Sequence, residues 1–172
     1  MSLLRYRKYL FYIYSYANSF FNLFLNVCPP IFRGFILKLF LLEFGRGSFV
    51  DYGSFIRYPR KVSIGKNVEI NRGVQFFPSF LFRNAIIVIE DNVVIGPNVH
   101  FYSAGQIRVE GILKDVGDSI YVREGAYIGA DCLIRYGVEI GVKAIVGAGS
   151  VVVKNVDAHS VVAGNPAAII KS

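Results

Sequence analysis

The sequence predicts a mainly β protein, a parallel solenoid of triangular coils preceded by an N-terminal helical segment. Two observations predict the solenoid. Val122, Ile128, Ile134, Ile140, Val146 and Val152 fall six residues apart, and Ile120, Ala126, Cys132, Val138, Ala144 and Ser150 run two residues ahead of them. This spacing fits neither the period of a helix nor that of a flat strand. It fits a chain that runs straight, turns a corner and repeats, with one aliphatic side chain inward on each side and three sides to a coil. Gly129, Gly141 and Gly147 directly follow their aliphatic residues, at corners where the backbone must turn tightly or approach its neighbour closely. The helical segment is predicted by a third observation, an uncharged stretch from Tyr9 to Phe32. Pro29 and Pro30 end any helix there near Val27 or Cys28.

The beat also runs earlier, in two shorter stretches. Ile64, Ile70 and Phe76 form one, with Gly65 at its corner; Ile89, Ile95 and Phe101 form the other, with Gly96. The two are out of phase, and 21 positions separate Phe101 from Val122. Insertions around residues 78–85 and 103–119 therefore interrupt the coil. In a solenoid such insertions gather as loops on one face, where they either decorate the surface or carry function. The resulting organisation is an apolar, basic helical segment over residues 1–46 and a repeat domain over residues 47–172.

The chain of 172 residues is long enough for one domain with its own core, and its 53% hydrophobic content excludes disorder. Cys28 and Cys132 supply no disulfide framework, and Cys132 falls on the inward row as a buried thiol. The net charge of +7 is unevenly placed: Arg5, Arg7, Lys8, Arg33, Lys38 and Arg46 face only Glu43 within the first 46 residues. Basic side chains joined to an apolar segment point to a membrane surface. Nucleic acid would want them spread along a groove among stacking aromatics, so no nucleic-acid partner is expected. Arg5, Lys8, Tyr12, Ser15, Ser19, Asn22 and Asn26 make one polar stripe along the helix, and the tyrosines at 6, 9, 12, 14 and 16 have interfacial character. The following apolar stretch, Ile31–Phe44, is too short to cross a bilayer. Residues 1–46 thus read either as a helical pair lying in the membrane interface or as a cap packed within the protein or its oligomer. A secretory signal is not expected, because no small-residue cleavage site follows.

The stretch IGVKAIVGAGSVVVK over residues 140–154, followed by VAGNPA over 162–167, closely resembles the hexapeptide-repeat acyltransferases. Among them it looks most like the acetyltransferases of bacterial surface polysaccharides and the related maltose and galactoside enzymes. The resemblance covers about residues 45–171. It implies a left-handed parallel β-helix, a homotrimer, and acetyl-CoA as co-substrate in a groove between subunits. By match of motif, backbone at Gly129, Ala130, Gly147 and Ala148 would face the pantetheine arm, and Lys154 the CoA phosphates. The loop carrying Asn165, Pro166 and Ala167 would close on the adenine end. Small residues let an extended ligand approach backbone donors, and a lysine offers phosphate a point charge.

The resemblance also implies a general-base histidine in the loop beyond IGPNV, which here spans residues 95–99. The aligned position holds Gln106. A glutamine orients a hydroxyl but cannot take its proton at neutral pH. Three readings follow: His100 takes the role, its side chain pointing outward between inward Val99 and Phe101; Gln106 supports a slower reaction by proximity alone; or activity is lost and the scaffold kept. Asn71 matches a polar residue lining the family's acceptor site. Asp115 and Asp118 are further candidates, or plain solvated loop residues, and His159 reads as a loop residue near the CoA tail.

The expected function is therefore an acetyl-CoA-dependent O-acetyltransferase acting on a sugar hydroxyl of a bacterial surface polysaccharide or its lipid-linked precursor. The alternative is a catalytically impaired scaffold that binds CoA or glycan. The expected location is the cytoplasm at the inner face of the membrane, the side favoured by Arg5, Arg7 and Lys8. No metal is expected, since the zinc hydration enzymes of this fold use three histidines and this chain has two.

Overall fold

The computed structural model describes residues 3–171. The side chains of residues 3–8, 10, 30 and 31 lie outside the described residues, and with them the expected basic cluster of Arg5, Arg7 and Lys8 and the aromatic Tyr6. Helix α1 (Leu3–Val27) stops where the two prolines require, and helix α2 (Pro30–Phe40) starts on a proline at its first position. The rest is a parallel β-helix whose short strands stack into three faces.

The first face stacks Glu43–Phe44, Val62–Ile64, Ile87–Ile89, Ile120–Val122 and Glu139–Ile140. The second stacks Phe49–Val50, Glu69–Ile70, Val94–Ile95, Tyr127–Ile128, Ile145–Val146 and Val161–Gly164. It ends in Ala167–Lys171, which folds back antiparallel onto Val161–Gly164. The third stacks Phe55–Ile56, Gln75–Phe77, His100–Tyr102, Leu133–Arg135 and Val151–Val152. Pairing in register puts like positions directly over one another, as in Ile64, Ile89, Val122 and Ile140. The aromatic pair Phe76 and Phe101 lies in the matching column of the third face, rings parallel at 5.1 Å. All of these side chains are buried.

The solenoid begins at Glu43, a coil earlier than the beat read from the sequence. Phe44, Val50 and Ile56 keep the six-residue spacing, but the companion row carries Ser48 and Ser54 in place of aliphatics. Ser48 earns its place by bridging coils: its hydroxyl donates to the Gly65 carbonyl (2.6 Å) and accepts from the Val68 N–H (3.0 Å). Corner glycines are required by the stacking. A Cβ at Gly129 would lie 2.6 Å from the Ala148 nitrogen, and one at Gly96 would lie 2.7 Å from the Ala130 nitrogen.

The helices cap the first coil with the opposite polarity from a surface helix. Asn18 and Asn22, on the polar side of α1, are buried against the solenoid. Asn22 donates through Nδ2 to the Ile56 carbonyl (3.1 Å) and accepts at Oδ1 from the Ile56 N–H (2.9 Å). Asn26 accepts from the Gly53 N–H (3.0 Å). An edge strand exposes unpaired backbone groups, and these asparagines pair them. Leu25, Leu37 and Leu41 join the core, while Tyr16, Phe20, Leu23, Phe24, Phe32, Phe35 and Leu39 remain exposed. Of the stripe expected from periodicity, Asn22 is buried and Ser15 and Asn26 are half-buried, while Tyr12 and Ser19 are exposed. Among the described residues no helix is long and apolar enough to cross a membrane.

Two substitutions test this packing. Asn22→Leu is expected to destabilise the protein by about 1–3 kcal/mol in denaturant unfolding, because both Ile56 backbone groups lose their partner; a water-facing asparagine would give no loss. Gly129→Val is expected to cost about 2 kcal/mol or more, the corner having no room for a side chain.

Candidate functional site

The two insertions meet at one edge of the third face. The first is the loop 78–85; the second is a hairpin of strands Ala104–Val109 and Ile112–Gly117, turning through Glu110 and Gly111 at φ 50° and 79°. Ser103, fully buried, ties them together: its hydroxyl accepts from the Ser79 N–H (2.7 Å) and donates to the Ala85 carbonyl (3.4 Å). Ser79 in turn accepts from the N–H groups of Leu81 and Phe82 (3.2 and 3.1 Å). Lys61 pins the same loop from below, donating to the carbonyls of Ser79 (2.7 Å) and Phe82 (2.6 Å). Burial, and then the nearby charge of Arg83, push the Lys61 ammonium down from its ordinary pKa.

Between this clamp and α1 lies a cavity of about 730 Å³. Its wall is aromatic: Phe11 and Tyr12 come from α1, Tyr58 and Phe77 from the coils, Phe80 from the loop and Tyr102 from the third face. Arg57 and Asp115 bring the charged groups. Tyr58 sits at φ 91°, a left-handed conformation that a bulky side chain adopts at a cost. Burial raises the pKa of its phenol.

Gln106 stands on the hairpin directly opposite Asp115, and its amide donates to that carboxylate at 3.0 Å. Its carbonyl oxygen is thereby left as an acceptor, and Asp115 lines the cavity beside it. His100 is elsewhere, half-buried on the third face in register with Gln75 and Leu133. Its Nδ1 lies 3.4 Å from the Tyr102 hydroxyl, and Tyr102 reaches the cavity. Asp118 instead accepts the Ser119 N–H at 2.7 Å, a turn role.

The corner between the second and third faces forms a column of its own. Asn71, Gly96, Gly129 and Gly147 follow in-register residues Ile70, Ile95, Ile128 and Val146, so they stack along one edge. Asn71 donates through Nδ2 to the Ile95 carbonyl (2.9 Å), leaving its Oδ1 free to accept. Gly129 is buried and its smallness is accounted for by the coil beside it. Ala130 and Gly147 are partly exposed; Ala148 and Lys154 are exposed. At the far end Asn165 and Pro166 form the exposed turn of the C-terminal hairpin, with Ala167 half-buried; the Asn165–Pro166 peptide is cis. The Ser150 hydroxyl accepts the Gly164 N–H (3.2 Å) and holds that turn over the column. His159 lies exposed on a loop at φ 63°. Cys132 is buried, its thiol pKa raised by desolvation, as an inert core thiol. Among the described residues no cluster of metal-ligating side chains occurs.

Arg57, Tyr58 and Lys61 carry no sequence signal of their own. The Gln106–Asp115 pair had one, since Glu110-Gly111 between alternating apolar residues is a two-residue hairpin turn. Ser103→Ala is expected to free the buried Ser79 N–H and loosen the loop, read as faster hydrogen exchange over residues 79–82 with little change in the coils.

No protein-family model matches the chain. It is 33% identical over 126 residues to a candidate acetyltransferase of Saccharomyces cerevisiae, covering 72% of this chain and 59% of that protein. It is 29% identical over 143 residues to the galactoside O-acetyltransferase of Escherichia coli, covering 81% and 68%. The chain thus spans about three fifths to two thirds of the length of these relatives. In structure it matches a hexapeptide-repeat-containing acetyltransferase of Vibrio cholerae, solved in complex with acetyl-CoA, with a TM-score of 0.81 and 26% identity. That match covers 93% of this chain and 87% of the other. The fold shared with such neighbours is the left-handed β-helix.

Proposed function

We propose that this chain, a hexapeptide-repeat acetyltransferase by its homologues and structural neighbours, moves an acetyl group from acetyl-CoA to a sugar hydroxyl. The observation that carries the reading is the corner column from Asn71 to Gly147. It offers an extended ligand a rail of small residues, with the turn of Asn165, Pro166 and Ala167 at its C-terminal end and Lys154 on the turn that leads from the third face to the first. Ala130, Gly147 and Ala148 would meet the pantetheine arm, Lys154 the phosphates, and the turn the adenine. Gly129 contributes by letting the coils close. Acetyl-CoA would supply an activated thioester: as the acceptor oxygen attacks its carbonyl carbon the hydroxyl proton would pass to a base, the carbon–sulfur bond would break, and the base would return the proton to the departing sulfur as the CoA thiol.

The acceptor side belongs to the clamp. In the proposed trimer the clamp of one copy would face the corner column of its neighbour, so that Asn71 of the one and the Gln106 carbonyl of the other would accept hydrogen bonds from the sugar. Two groups compete for the proton, Asp115 beside Gln106 and His100 through the Tyr102 hydroxyl. Histidine is the stronger base near neutral pH. The glutamine at the position of the expected histidine favours a second reading, a scaffold that binds CoA or glycan without turnover.

The acceptor we propose is a bacterial surface polysaccharide or its lipid-linked precursor, met at the cytoplasmic face of the membrane; the exposed apolar side of α1 and α2 supports this. Homotrimer formation is supported by the outward column of Phe49, Tyr127 and Ile145 on the second face, and light scattering would measure it.

The test is CoA thiol release from acetyl-CoA in the presence of galactosides, maltose and other sugars. Turnover on one of them is expected, with His100→Ala slowing it roughly 10²–10⁴-fold, the contribution of a general base. Asp115→Asn with that loss, and His100→Ala without it, would move the role to the carboxylate. Acetyl-CoA binding with no release on any acceptor would establish the scaffold. Lys154→Met is expected to raise KM for acetyl-CoA roughly tenfold with kcat unchanged, the loss of one charged phosphate contact.

A further inference from the structure

The aromatic cavity is larger than one sugar needs. At about 730 Å³ it falls in the range of small-molecule sites, and its lining is largely apolar: six aromatic rings, Leu81, Pro78 and Ala104, beside Arg57, Ser79 and Asp115. Phe80 touches both Phe11 (5.7 Å, edge to face) and Tyr58 (5.9 Å, stacked), so helix, coil and loop make one continuous apolar surface.

One side of that surface is cationic. The Arg57 guanidinium lies 4.8 Å over the Phe11 ring and 5.8 Å over the Tyr58 ring. Among the described residues it has no carboxylate partner within salt-bridge distance. Stacking fixes the plane of a guanidinium that no carboxylate neutralises, an arrangement that suits an oxyanion. The Tyr58 hydroxyl is buried beside that guanidinium, which is its polar neighbour. Asp115, the carboxylate of the lining, is engaged by Gln106 at the hairpin side.

The cavity also opens against the exposed aromatic side of α1. Phe11 and Tyr12 line it, and the exposed Tyr9, Tyr12, Ile13 and Tyr16 continue that side outward. A ligand can therefore keep its chain among these residues while its polar end reaches Gln106 and Asp115.

We infer that this cavity binds a phosphate-bearing amphiphile, an alkyl or isoprenoid phosphate to which the acceptor sugar is joined. The phosphate pairs with Arg57 and the Tyr58 hydroxyl, the first carbons of the chain lie on Phe11, Phe80 and Leu81, and the sugar is held toward the hairpin. The inference rests on the acetyltransferase reading for the fate of the sugar, but the binding itself does not need turnover.

Calorimetry on the full chain tests it with three probes below their micelle-forming concentrations: dodecyl phosphate, glucose 1-phosphate and dodecyl maltoside. Dodecyl phosphate is expected to bind at least tenfold tighter than either of the others. Arg57→Gln is expected to weaken dodecyl phosphate about tenfold and leave dodecyl maltoside unchanged, the loss of one charged hydrogen-bonded contact. Tyr58→Phe, which keeps the ring, is expected to weaken dodecyl phosphate severalfold. Equal binding of glucose 1-phosphate would make this a plain sugar-phosphate site, and equal binding of dodecyl maltoside a plain apolar one. Either result, or indifference to Arg57→Gln in a variant that unfolds at the same temperature as the parent, overturns the proposal. Acetyl-CoA binding is measured in parallel: its absence in the unaltered protein would strike the acetyltransferase reading and leave the amphiphile result standing.

Discussion

The spacing between coils governs this molecule. Parallel strands lie about 4.8 Å apart, and at the corners the same spacing leaves no volume for a side chain where one coil crosses the next. Gly96, Gly129 and Gly141 answer that demand, each with the backbone of the following coil within the reach of a missing Cβ. Register then fixes the rest, since a column of inward aliphatics in step on three faces leaves outward positions, corners and insertions as the places where chemistry can sit. A rail for an extended ligand is a by-product of that constraint, because a corner kept small for the neighbouring coil is also small for a ligand.

The proposed acceptor side has a different origin. The rail repeats, whereas the clamp occurs once and is assembled from parts far apart in the chain. Lys61 and Ser103 hold the 78–85 loop to the coils, and the hairpin brings Gln106 to Asp115. Burial drives this arrangement as much as hydrogen bonding does: Ser103 is fully enclosed, so its two bonds are made in a dry environment where leaving either group unpaired is costly. A rigid scaffold carrying a locked loop cluster can vary its loops without disturbing the corner column.

What the sequence made legible follows from which interactions repeat. The inward rows of the later coils were readable because the same burial recurs every six residues. The first coil escaped because Ser48 and Ser54 replace the aliphatic companions, one of them to bridge coils through its hydroxyl. The insertions were readable only as gaps in the beat. The cavity they build was not, since Phe11, Tyr58 and Phe80 lie in three separate segments and the left-handed backbone at Tyr58 has no sequence mark. Periodicity gave the polar stripe of α1 but not its direction, because a helical wheel names a face without naming its neighbour. Asn22 meets the Ile56 backbone only once the first coil exists to present an edge.

That inverted helix separates two duties that most surface helices combine. On one side of α1, amide side chains finish a β-sheet edge and so close off the end where another strand would otherwise add. On the other, tyrosines, phenylalanines and leucines are free of any structural task within the chain. Substitutions on the outer side can therefore change the protein's surface while the inner side keeps the solenoid from growing. Surface and architecture can evolve on opposite sides of a single turn of helix.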